Sequence, residues 1–479
     1  MKLNKKLAAI AGSLAMSACA SGPNPNFRSD MHALMALSDF NQVAEKIQDS
    51  KKSQYQDETE AGGVLYNLDL GAALHDSKKY KESDQCLDLA EQRMEALYTK
   101  SIAEAVGQVI ASDNVAEYEG EPYERALLHV YRALNHLYQN EKDEAAVEAR
   151  KVSSYLTELS EKRGLKLNYR DDAFAHYITA LVLAENGDED NARISSEKAK
   201  AIYGANAEKF ETPLPAGVDN INIPNGKGEV VIVHYNGISP TKTENVISLT
   251  GPELLLLLTQ NVVPLSEEMT KTLSWIVAEN GVELASQVQP ELGEALQTFM
   301  TDLRQKGIRI AFPTMTPSIY GIHSSRVQVD GANAGDTSLV ENIGQIATLS
   351  LNDRIEESKT RTIVRSFLKF TAIELAKMAA KIVAQKKAPA GGLGFASKVA
   401  EDTGVAGEVL AAITERADIR GWFTIPAELR LARIPLAPGK HSIVIDYLDA
   451  NGKVVTSEER KDIEVKAGER TWIPARTAF

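Results

Sequence analysis

The sequence predicts an α+β protein: an all-helical repeat half, then a mixed α/β domain that ends in a small β module. Three observations carry this. Between residues 28 and 204, small residues recur at one fixed spacing in three segments that carry apolar residues at helical intervals. From Thr212 to Lys227 the composition turns to Pro, Gly and Asn, as in a crossing segment. Beyond it, β-branched runs alternate with Asp-Gly, Pro-Gly and Asn-Gly pairs that mark strands and turns.

A chain of 479 residues suggests two or three domains and is ample for a sizeable core. Hydrophobic content of 43% and charged content of 25% lie in the globular range and speak against wholesale disorder. A net charge of -13 disfavours sequence-independent binding of phosphate backbones, so no nucleic-acid partner is expected. It also disfavours a broad basic membrane-binding surface.

At the N-terminus, Lys2, Lys5 and Lys6 precede an apolar run from Leu7 to Ala18 that is too short to span a bilayer. It ends Met16-Ser17-Ala18-Cys19, which resembles the lipobox of bacterial lipoproteins; Met16 stands where that motif usually has Leu. The resemblance implies a signal peptide over residues 1–18, lipid on Cys19 and a lipidated tether over residues 19–27. In Gram-negative lipoproteins an Asp after the cysteine often retains the protein in the inner membrane. Ala20 at that place implies the outer membrane, with the protein facing the periplasm. The other reading is an ordinary secretory signal cleaved nearby. Leu254 to Leu258 is too short to cross a membrane and reads as buried helix. Once Cys19 carries lipid, Cys86 has no partner in the chain; burial as a small hydrophobe is the plain reading, against pairing with another chain.

Residues 28–60 read as a leading helix pair, from Leu34, Leu37, Val43 and Ile47. Then Gly71, Ala133 and Ala180 sit midway along three first helices. Ser83, Ala145 and Ala192 follow at a constant interval on three second helices, and Ala90, Val152 and Ala199 beyond them. Turn-like stretches at Ser77 to Tyr80, Asn140 to Asp143 and Asn186 to Glu189 lie between. The pattern resembles the tetratricopeptide repeat, in which small residues let antiparallel helices pack closely. The first unit, with Leu70, Leu74, Tyr80 and Leu87, matches best, and the units are spaced more widely than in that family. The resemblance implies a helical solenoid over residues 28–204 with a concave face. Leu127, Val130, Tyr138, Phe174 and Tyr177 would line it. That apolar, aromatic lining suits an amphipathic helix or extended peptide of another envelope protein. Alternatively, another part of this same chain fills it.

A linker over residues 205–228 leads to a mixed α/β domain over residues 229–435 and a β module over residues 436–479. Glu229 to Tyr235, Ile308 to Phe312 and Arg326 to Val329 read as strands, and Asp330-Gly331 as a hairpin turn into Thr337 to Val340. A long helix is expected over Glu341 to Lys386, with Ile363, Phe367, Phe370 and Ile373 on an apolar stripe. Lys359, Arg361, Arg365, Lys369, Lys377 and Lys381 flank it. The helix suits a core with a solvated basic side better than a membrane surface. Gly391 to Gly394 breaks it and has no dinucleotide-binding spacing. Pro438-Gly439 turns into His441 to Tyr447, Asn451-Gly452 signals a hairpin, and Ile463 to Val465 and Thr471 to Ile473 continue that sheet.

No catalytic constellation emerges. The sequence has no HExxH, paired CxxC, GxSxG or P-loop, so no metal or cofactor is expected. His129 and His136 lie two turns apart on one helix, a spacing that packing explains. The segments Ala417-Asp418-Ile419-Arg420-Gly421-Trp422-Phe423-Thr424-Ile425-Pro426, Gly228 to His234 with Asn236-Gly237, and Asp172 to Tyr177 are distinctive. Together they resemble a largely uncharacterised family of proteobacterial tetratricopeptide outer-membrane lipoproteins. The resemblance implies an envelope location and, by analogy, support of cell-wall synthesis or outer-membrane assembly. Trp422 is expected to anchor the helix-to-sheet junction. Arg420 and Arg433 are expected to pair with acids across it or to hold a ligand there. The function expected is a lipid-anchored adaptor. The alternatives are an enzyme acting on envelope glycan or lipid, and a structural subunit of a surface assembly.

Overall fold

A computed structural model describes residues 22–56, 61–104, 117–161, 168–249, 301, 308–317, 320–355 and 416–479. Cys19, Leu254 to Leu258, the basic stripe from Lys359 to Lys381 and Gly391 to Gly394 lie outside the described residues. Helices fill the first half and strands the last part, as the predicted class requires.

The first half is a run of helix hairpins: α1 (Pro25–Ala36) with α2 (Phe40–Asp49), α4 (Val64–Asp76) with α5 (Tyr80–Glu104), α6 (Pro122–Tyr138) with α7 (Lys142–Glu161), and α8 (Ala173–Glu185) with α9 (Glu189–Asn206). A short α3 (Lys51–Gln54) follows the first pair. Local chemistry sets their starts. The Asn24 side chain accepts the Phe27 N–H, Asp39 accepts that of Gln42, and Asp172 accepts that of Ala175. Pro25 and Pro122 begin α1 and α6, where a missing N–H costs nothing.

All four hairpins share one turn. Three residues connect each pair, and the middle one is left-handed: Ser38 at φ 60°, Lys78 at 63°, Asn140 at 63° and Gly187 at 83°. In each, the residue after it donates to a carbonyl five residues back, as in Asp39 to Leu34, Lys79 to Leu74, Glu141 to His136 and Asp188 to Leu183. The leading pair is therefore built like the other three, although the sequence pattern had singled out only three. The small residues sit where helices meet. A Cβ on Gly71 would come within 2.7 Å of Leu87, and Ser83 Oγ donates to the Gly71 carbonyl at 2.7 Å. Leu37 is the exception in the leading pair's apolar set, being 77% exposed, whereas Val43 and Ile47 are fully buried.

The strands form two four-stranded sheets and a ribbon. The first sheet has the order β10 (Arg470–Thr477), β1 (Gly228–Asn236), β7 (Glu428–Leu436), β6 (Ser338–Glu341), with β1 parallel to β10 and antiparallel to β7. The second is antiparallel, in the order β5 (Ala332–Asp336), β4 (Ser324–Val329), β8 (Gly439–Leu448), β9 (Val454–Val465). Strands β2 (Thr241–Leu249) and β3 (Ile308–Thr316) pair as the ribbon.

The first sheet lies between the helices and the second sheet. Val231, Val233 and Tyr235 of β1 pack in one core with the helices. Val230 and Ile232 pack in the other, with Val327, Ile443 and Ile445 of the second sheet. Every residue of β1 is buried, which accounts for its unbroken β-branched run.

Three sequence expectations need correction. Asp330 and Gly331 do form a turn, both with positive φ, but the strand it returns is β5. Thr337 to Val340 instead falls largely in β6, across in the other sheet. The C-terminal residues are not a separate module. Strands β8 and β9 complete the sheet begun by β4, while β10 crosses to pair with β1 over two hundred residues away. Nor is the stretch 205–228 a free linker: Val218 and Ile221 are buried, and Ser196 Oγ donates to the Val218 carbonyl at 2.7 Å. Of the long helix, residues 343–355 are helical, and the rest lies outside the described residues.

Candidate functional site

The residues expected to line a groove are covered from within the chain. Leu127, Val130, Phe174 and Tyr177 are at most 5% exposed. The Tyr138 hydroxyl lies 3.0 Å from that of Tyr235 on β1, and Arg433 on β7 donates to the Tyr177 hydroxyl at 3.5 Å. These five residues therefore do not line an open groove for another protein. They are the surface on which the sheet half is packed, because a bare aromatic face of that size is better buried than wetted.

Trp422 anchors the junction as expected. It is 2% exposed, its backbone N–H donates to Glu124 at 2.9 Å, and its ring leans on Tyr131 at 5.5 Å between centroids. Phe423 N–H and the Thr424 hydroxyl both donate to Asp69, which also accepts from the Tyr55 hydroxyl at 3.1 Å. Burial drives the Asp69 carboxyl well above its usual range, and Glu124 is raised by burial and then by the charge of Glu121. Beside them Lys242 pairs with Glu121 at 2.7 Å.

The two arginines do not share a site. Arg420 pairs with Asp418, two residues away, and lies over the Tyr118 ring. Arg433 pairs with Glu229, which also takes Arg470, and reaches the carbonyls of Gly217 and Asn220. The cavity beside Trp422 is about 10 Å³, too small for any organic ligand.

Other clusters are occupied by protein groups. Glu91, His129 and Glu148 could offer ligand atoms to a metal, but Arg132 and Lys151 already pair with both carboxylates. His129 faces Glu148 and His136 faces Glu141, so the two histidines serve different acids. Asp172 and Glu341 share a cavity of about 20 Å³, room for about one water. Burial raises both carboxyls, Glu341 markedly, with the charge of Asp172 adding to it.

A cleft of about 220 Å³ lies between the helical half and the strand edges. Its helical wall is Phe40 with His75, Asp76, Lys78 and Tyr80 from the α4–α5 turn; its strand wall is Tyr235, Arg460 and Arg476. Arg476 donates to Asp76 at 2.7 Å and to the Gly237 carbonyl at 2.7 Å, and its guanidinium lies over Phe40. Arg460 pairs with Glu458 at 2.7 Å. Four tyrosines, Tyr80, Tyr131, Tyr138 and Tyr235, surround the His75 ring at 4.6–5.7 Å. Burial lowers the His75 pKa to about 4, so the ring is neutral at ordinary pH, and burial raises Tyr80 to about 12.

Its tautomer follows from a chain of bonds. Ser83 gives its proton to the Gly71 carbonyl, so it accepts from Asn135 Nδ2 at 2.9 Å. Asn135 Oδ1 must then accept at 2.7 Å from His75 Nδ1, and His75 Nε2 is left with a lone pair. That Nε2 and Arg476 Nη2 are both buried without a protein partner. Sequence reading missed this cleft. Its residues come from the start of α2, the α4–α5 turn, β1 and the last two strands, and only the fold brings them together.

No family model, curated protein or solved structure matches the chain.

Proposed function

We propose that the chain is a lipid-anchored adaptor of the Gram-negative outer membrane, facing the periplasm, whose helical half is a tetratricopeptide-like solenoid. The lipobox-like Met16-Ser17-Ala18-Cys19 supports the anchor. The four identical helix-hairpin turns support the repeat reading and are the observation that carries the adaptor role, since stacked helix pairs present long recognition surfaces.

The inner face is spent on the chain's own sheet half, so the adaptor works through the outer helices. There Val147 on α7 is 51% exposed and Ile194 on α9 is 42% exposed. The junction's buried carboxylates crosslink the two halves, which suits a fixed scaffold.

The test is photocrosslinking in cells. Photoreactive residues at Val147 and Ile194 should capture one discrete envelope protein, recovered again when that protein is the bait. The same residue at Tyr138 or Tyr177 should capture only this chain. Absence of any discrete product from the outer helices overturns the adaptor. For the anchor, Cys19→Ala should move the protein from the outer-membrane fraction to the soluble one; unchanged fractionation overturns it.

A further inference from the structure

The cleft at the α4–α5 turn has features that the packing of the two halves does not explain. It is larger than the roughly 150 Å³ cavity that admits a benzene ring. Its wall carries Arg476, Arg460 and Lys78 against Asp76 and Glu458, an excess of positive charge in a chain of net charge -13. Arg476 Nη2 is a buried donor with no acceptor, and His75 Nε2 a buried acceptor with no donor. A buried donor or acceptor left unmatched is costly. Burial keeps His75 neutral, and the bond from its Nδ1 to Asn135 leaves the lone pair on Nε2.

We propose that this cleft binds a small carboxylate that carries a neighbouring N–H or O–H donor, as at a peptide C-terminus or in an acidic sugar. The carboxylate meets the arginine wall, where a charge-assisted bond is stronger than a neutral one. The neighbouring donor meets His75 Nε2, and Tyr80 offers its hydroxyl to the carboxylate as a further donor. The site holds whether or not the chain is lipid-anchored or works as an adaptor, because it rests on the cleft alone.

The experiment is isothermal titration calorimetry on the full chain with N-acetylalanine, glucuronate and the amide of each. At least one acid should bind, and its amide should bind at least about tenfold more weakly. Preference for N-acetylalanine marks a peptide terminus, and preference for glucuronate an acidic sugar. Arg460→Gln should weaken the acid at least about tenfold and leave Tm unchanged, since among the described residues Arg460 bonds to Glu458 and Pro474 of the strand region and is 20% exposed. Lys461→Gln, at a position 71% exposed on the same strand, should leave binding unaltered. Tyr80→Phe, which keeps the ring, gives a second reading if Arg460→Gln does not fold; it should weaken the acid by removing a donor. Equal binding of acid and amide overturns the proposal. So does absence of heat from both acids at about 10 mM, or full affinity in both cleft variants.

Discussion

At the residue scale, single buried charges decide how the two halves hold together. Glu229 lies between Arg470 at 2.8 Å and Arg433 at 2.9 Å, with all three side chains at most 10% exposed. Glu229→Gln would leave two buried cations with no counter-charge. It should cost about 3–5 kcal/mol in urea unfolding, as breaking a buried pair does. Glu341 makes the opposite case. Burial, and then the charge of Asp172, lifts its folded pKa well above the unfolded value. Its protonated form is therefore favoured by folding: the contribution is fully present below the unfolded pKa of about 4.3 and is lost as pH rises through the folded one. Glu341→Gln should stabilise the protein relative to wild type by an amount that grows from pH 5 to pH 8; equal differences at the two pH values would contradict this.

At the element scale, the shared hairpin turn is testable without touching a side-chain contact. A Cβ at Gly187 meets nothing within 4 Å, yet φ is 83°. Gly187→Ala should lose about 1 kcal/mol by backbone strain alone, read from thermal unfolding. Gly71 is a different glycine: it lies in mid-helix, and the Leu87 side chain stands 2.7 Å from its missing Cβ. Alanine there gains helix propensity of about 1 kcal/mol but overpacks the α4–α5 contact by about 1–3 kcal/mol. Gly71→Ala should come out destabilising, and Leu87→Ala in the same chain should relieve the clash.

At the scale of the whole molecule, the helical half depends on the sheet half. Leu127, Val130, Tyr131, Phe174 and Tyr177 are buried, and Tyr235 and Trp422 are among the residues in their core. Residues 22–227 expressed alone should bind a hydrophobic dye and self-associate, whereas the full chain should do neither. Adding residues 228–479 in trans should reverse both. A monomeric, dye-negative fragment would mean that the helical face is stable in water, and that the interlock matters less than its burial suggests.

Much of the fold was legible because it is local. The helices, their order and the turns at Lys78, Asn140 and Gly187 follow from periodicity, small residues and left-handed positions, all written within a few residues. The β1 run Glu229 to Tyr235 announced a strand buried on both faces by its composition. The covering of Tyr138 and Tyr177 was legible only as one of two readings, since an aromatic face does not say whose chain covers it. The return of β10 to β1, the split of 332–341 between two sheets and the pairing of Arg433 with Glu229 depend on contacts between distant segments. So does the cleft, where His75 and Arg476 meet across four hundred residues. Sequence alone determined the helix hairpins and the β1 strand, because backbone propensity and hydrophobic period act over a turn or a strand. Only the tertiary structure decided which faces are closed and where an open, charged cleft remains, because that depends on which distant surfaces come to exclude water from one another.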